Sequence, residues 1–88
     1  MAKRQLDVLD VYCREAGLSY GELWLRYFEL GGMCAGFEVE AFLHGLRAPS
    51  EYDHDIIALA INERLVELGG HHAVPYFHED VRRRDPSP

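Results

Sequence analysis

Apolar residues recur with a helical period near 3.6 along most of this chain, in four blocks punctuated by glycine or proline. At about 100° per residue, Leu6, Val8, Leu9, Tyr12, Cys13 and Ala16 fall in one arc. Asp7, Asp10 and Arg14 lie opposite and Gly17 is the natural stop, which predicts a first helix over about 6–16. In the second block Ser19 and Glu22 form an S-x-x-E capping box, and Leu18 with Leu23 supplies the accompanying hydrophobic staple. Tyr20, Leu23, Trp24, Tyr27, Phe28 and Leu30 share a face there and Gly31-Gly32 ends it, giving a helix over about 20–30. A third helix over about 37–46 gathers Val39, Phe42, Leu43 and Leu46 and turns Glu38, Glu40 and His44 outward. Ser50 with Asp53 then opens a fourth over about 51–68, stopped by Gly69. This last helix is apolar on most sides, with Ile57, Ile61, Leu65 and Leu68 on one arc and Tyr52, Leu59 and Val66 on another. Such a helix is central, either wrapped by the other three or partly covered by a second copy of the chain.

The expected fold is therefore all-α, a compact bundle of four helices with a flexible C-terminal tail. The predicted core is Leu23, Trp24, Tyr27, Phe28, Phe42, Ile57, Ile61 and Leu65. Residues 1–70 read as the helical domain and 71–88 as a mostly disordered tail, since the latter follows Gly69-Gly70, carries His71-His72 and closes on Asp85-Pro86-Ser87-Pro88. Val74-Pro75-Tyr76-Phe77 is the tail's one apolar cluster, and it either folds back on the body or waits for a partner. Asn62, between the apolar arcs of the fourth helix, is expected to be buried and to satisfy a loop carbonyl or fix helix register.

Size and charge narrow the functional classes. An 88-residue chain, 48% hydrophobic, is one small domain that buries only about 60% of its unfolded surface, which leaves little interior for a deep catalytic cleft. No apolar run approaches a membrane span, and the opening Met1-Ala2-Lys3-Arg4-Gln5-Leu6-Asp7 lacks the apolar stretch of a secretory signal, so the cytoplasm is the expected compartment. Two cysteines, Cys13 and Cys34, fit reduced thiols rather than a disulfide scaffold. The net charge of −6 lies wholly in the body: residues 1–70 hold six basic and twelve acidic side chains. In the tail, Arg82, Arg83 and Arg84 balance Glu79, Asp80 and Asp85.

That distribution weighs against nucleic acid. A helix-turn-helix pairing of the second and third helices has too long a connection, about six residues, and would offer Glu38, Glu40 and His44 to the phosphates. Pairing the third with the fourth would lead with Glu51, Asp53 and Asp55, where a DNA-reading helix presents donors and cations. His44 is read as a surface partner of Glu40, and His54 and Asp55 as part of the fourth helix's capping. Weak metal binding through His71, His72 and His78 is a further alternative, although their spacing matches no closed structural site. Cys13 falls on a buried arc, and Cys34, the one thiol placed for reactivity, has no base or oxyanion site implied beside it. No catalytic set and no cofactor is expected.

Ser19 through Gly32, together with the stretch from Val39 to Leu46 and Asn62-Glu63-Arg64-Leu65, resembles a group of short all-helical proteins from actinobacteria over about residues 12–68. The eight-to-one excess of Arg over Lys fits a GC-rich genome. The resemblance implies that the aromatic face of the second helix and the Gly-Gly stop belong to the fold, and it implies no activity. The leading expectation is a non-enzymatic interaction or regulatory module with a protein partner or a second copy of itself. Candidate contact residues are Leu25, Tyr52, Leu59, Val66, Tyr76 and Phe77. A nucleic-acid-associated regulator using Arg82, Arg83 and Arg84 is the alternative.

Overall fold

Each helix of this chain is delimited by its own residues. A computed structural model describes residues 2–78, with side chains from residue 9, and contains α1 (Ala2–Glu15), α2 (Tyr20–Glu29), α3 (Gly36–Leu43) and α4 (Glu51–Glu67). Ser19 Oγ accepts from the Glu22 amide at 3.1 Å and Glu22 Oε1 accepts from the Ser19 amide at 2.9 Å, so the capping box closes as the sequence predicts. Ser50 Oγ accepts from the Asp53 amide at 3.0 Å. Before α3 only half a box forms, since Glu38 accepts from the Ala35 amide while Ala35 has no oxygen to return the contact.

All four helices end the same way. Gly17, Gly31, Gly45 and Gly69 take positive φ directly after the last helical carbonyls, and each is followed by the paired amide contacts of a Schellman motif. For α2 these are Gly31 N to Phe28 O at 3.1 Å and Gly32 N to Tyr27 O at 2.9 Å. The predicted run of the third helix to residue 46 is corrected by this motif: Gly45 turns the chain out of the helix, and Leu46, grouped by the sequence with Val39, Phe42 and Leu43, is 78% exposed.

The architecture is the expected all-α bundle of four helices. α1 and α2 each pack against both α3 and α4. The core draws Leu9, Cys13 and Ala16 from α1, Leu23 and Tyr27 from α2, Val39, Phe42 and Leu43 from α3, and residues 56–61 of α4. Nine consecutive residues of α4, 54–62, are buried. The chain itself thus covers the centre of this helix, and Leu59, expected at an interface, is 1% exposed. Of the predicted core, Trp24 and Leu65 are half-buried and packed on its edge. Phe28 is 56% exposed, because it lies about 100° around the helix from Tyr27 and stacks on the outer side of Trp24, with ring centroids 5.4 Å apart. Among the described residues no helix is long and apolar enough to cross a membrane.

Candidate interaction surface

Three arrangements bring polar or exposed side chains together. The first sits where the α2–α3 connection meets the start of α4. Tyr27 is fully buried; its hydroxyl donates to Asp53 Oδ1 at 2.7 Å and accepts from the Cys34 amide at 2.9 Å. Asp53 Oδ2 accepts from Ser50 Oγ at 2.9 Å and faces Cys34 Sγ at 3.5 Å, while Trp24 Nε1 donates to the Cys34 carbonyl at 3.0 Å. Gly32 is obligatory here: a Cβ on it would lie 2.2 Å from Tyr27 Cζ. A catalytic thiol needs a lowered pKa. Burial pushes the Cys34 thiol above its ordinary value, and the Asp53 carboxylate pushes the same way. The cluster anchors the loop to α4.

The second arrangement is a strap. Residues 71–78 run back along α4 with Val74 buried in the core, so the Val74-Pro75-Tyr76-Phe77 cluster folds back on the body; residues 79–88 lie outside the described residues. Asn62, fully buried, donates from Nδ2 to the Val74 carbonyl and accepts on Oδ1 from the Val74 amide, both at 2.9 Å. Asn62 thus satisfies a loop carbonyl, as its sequence position suggests. Its Nδ2 also donates to Tyr76 Oη at 2.9 Å. Asp55 was expected to cap α4, but it lies two residues beyond the capping Asp53, past the free amides of the first turn. It is fully buried and accepts from the Phe77 and His78 amides at 2.7 and 2.9 Å. His54, also expected at the cap, is buried with its ring edge-to-face on Phe77 at 4.7 Å.

The tail histidines are spread along this strap. His72 Nδ1 lies 3.0 Å from Tyr76 Oη and His78 Nε2 lies 3.1 Å from Glu51, while His71 is exposed. Among the described residues no group of three His, Cys, Asp or Glu side chains is placed to hold a metal ion. Arg82, Arg83 and Arg84 lie outside the described residues.

The third arrangement is the outer face of α2. An open groove of about 540 Å³ runs between α2 and the C-terminal half of α4, with Leu18, Leu25 and Leu30 as its apolar wall. Its rim carries four carboxylates, Glu22, Glu29, Glu63 and Glu67, against two guanidiniums. Both guanidiniums are engaged. Arg26 makes paired contacts of 2.9 Å to Glu67, and Arg64 reaches Glu67 at 3.3 Å and the Ala16 carbonyl at 3.2 Å. Phe28, three residues on from Leu25 and hence beside it on the helix surface, stacks on Trp24, whose indole reaches the α2–α3 connection next to Met33 and Phe37. There the indole bonds the Cys34 carbonyl and would touch a side chain at Gly36. Met33 and Phe37 are 89% and 76% exposed.

Of the six contact residues named from sequence, only Leu25 lies on this face. Tyr52 is exposed on α4 and donates to the Gly31 carbonyl, Val66 is half-buried, and Tyr76 and Phe77 belong to the strap. Phe28, Met33 and Phe37 were missed as surface residues. Phe37 was legible, because it stands about 200° from Val39 on a helical projection, away from the α3 core arc. No protein-family model, curated protein or solved structure matches the chain.

Proposed function

We propose that this chain is a non-enzymatic protein-interaction module that receives its partner on the outer face of α2. The observation that carries this reading is the set of exposed apolar side chains Leu25 and Phe28 on α2, Met33 after it and Phe37 at the start of α3, beside the open groove. Large exposed apolar patches mark docking sites. Excess carboxylate beside Leu25 favours a partner segment that is apolar on one face and basic on its flanks, an amphipathic helix laid in the groove. Two unpaired cysteines fit a reducing compartment, and the proposed setting is the cytoplasm. Regulation through nucleic acid is the weaker reading: Asp53 and Asp55 at the head of α4 are committed to internal hydrogen bonds. Self-association through the middle of α4 is disfavoured by its burial within one chain.

Quantitative affinity capture from source-cell lysate with the wild type and with a Leu25→Asp/Phe28→Ser double variant tests this reading. Both positions are exposed, so the variant should keep the wild-type helical circular dichroism. A stoichiometric protein held by the wild type and lost from the variant is expected. Capture that is indifferent to the two substitutions, or a monomer that holds nothing, refutes it.

A further inference from the structure

We propose that the α4 surface beneath residues 71–78 is a peptide-binding groove, filled in cis by the chain's own strap and open to a segment of a partner protein with the same pattern. That pattern is an aliphatic β-branched residue, proline, then two aromatics. Asn62 reads both backbone groups of one residue, Val74, and Asp55 reads two successive amides, those of Phe77 and His78. Asp55 and Asn62 are seven residues apart, so they share a face about 10.5 Å apart along the helix. The strap steps from Val74 to Phe77 in three residues and bends at both. The two sites therefore hold a bent peptide segment running antiparallel to α4.

Recognition is mainly through main-chain atoms, which another sequence can supply equally well. Side-chain requirements are few: Val74 enters the core, Tyr76 meets Asn62, and Phe77 rests on the His54 ring. Pro75 holds the residue before it in the extended region that Asn62 reads. Asp55 and Asn62 are also costly occupants of a central helix without such a peptide, since buried polar groups must be hydrogen-bonded. Among residues 71–78 only Val74 is fully buried, and the segment joins α4 through Gly69-Gly70. This groove is separate from the α2 face, and neither depends on the other.

The probe is a fluorescent octapeptide of the strap sequence, His-His-Ala-Val-Pro-Tyr-Phe-His, titrated by anisotropy against the full chain. Val74→Asp releases the cis strap while leaving the groove's own residues in place. An open fraction of about one in a hundred weakens apparent affinity about a hundredfold, so the V74D chain should bind the peptide tens of times more tightly than the wild type. Adding Asn62→Leu should abolish that binding. On the wild type, amide exchange of Val74, Phe77 and His78 should proceed by local opening, faster than that of Ile57 and Ile61, which keeps the test decisive if V74D does not fold. Absence of saturable binding to a folded V74D chain, binding indifferent to Asn62, or strap amides that exchange only with the α4 core would each overturn the proposal. Concentration-dependent exchange of straps between wild-type chains would also overturn it, by making the occupant a second copy.

Discussion

Gly32→Ala isolates a steric requirement that no local propensity explains. Gly32 is not among the positive-φ glycines, so alanine suits its backbone and would, if anything, lower the entropy of the unfolded chain by about 0.4–1 kcal/mol. The added Cβ would stand 2.2, 2.3 and 2.4 Å from Tyr27 Cζ, Cε2 and Cε1, roughly 1 Å inside any tolerable contact. The ring cannot yield. It is fully buried, and its hydroxyl is fixed by Asp53 at 2.7 Å and by the Cys34 amide at 2.9 Å. Relief must come from the Gly31-Gly32 turn, which breaks the 2.9 Å contact from the Gly32 amide to the Tyr27 carbonyl that ends α2. Overpacking typically costs about 1–3 kcal/mol, and with neither side free to move the cost should reach about 3 kcal/mol. That is a large part of the roughly 5–15 kcal/mol of a small domain. Thermal unfolding followed by circular dichroism should show the midpoint falling by about 12–24 °C. In a Tyr27→Leu background the ring is gone, and the same alanine should cost less than about 1 kcal/mol, a coupling measured by the double-mutant cycle. A G32A chain within about 0.5 kcal/mol of wild type, or equal costs in both backgrounds, would refute the steric argument.

Tyr27→Phe keeps the ring but strips a partner from Asp53 and from the Cys34 amide, so urea unfolding should show a loss of about 1–3 kcal/mol. The paired contacts from Arg26 hold the Glu67 carboxyl below its ordinary value, so its contribution is present above the unfolded-state value near 4.5 and is lost as pH falls through the folded one. Glu67→Gln should therefore destabilise slightly at pH 7, by less than about 1 kcal/mol for a half-exposed pair, and should converge on wild type in urea titrations near pH 3; a constant difference would contradict this. Burial carries the Cys13 thiol to about 11 and raises Cys34 as well. At pH 8 an aromatic disulfide reagent should modify Cys34 more slowly than a free thiol and reach Cys13 only on unfolding.

Features governed by neighbours within about four residues were legible in the sequence. Ser19 with Glu22 and Ser50 with Asp53 begin helices because a hydroxyl and a carboxylate reach amides in the next turn. Gly17, Gly31 and Gly69 end them because the left-handed residue is local, and the apolar arcs imply four helices around one core. Gly45 acts by the same rule, and reading through it grouped Leu46 with Val39, Phe42 and Leu43, from which it turns away. The orientation of side chains at the margin of an arc was decided by packing: Phe28 and Leu59 are both large and apolar, yet one is exposed and the other sealed, according to whether another layer lies above them. Tertiary structure alone decided the roles of Asp55 and Asn62. Their partners lie from 12 to 23 residues further along, and only a chain folded back along α4 brings those main-chain groups to a buried carboxylate and amide. Periodicity records which residues leave water, whereas the pairing of polar groups inside depends on which segment covers them.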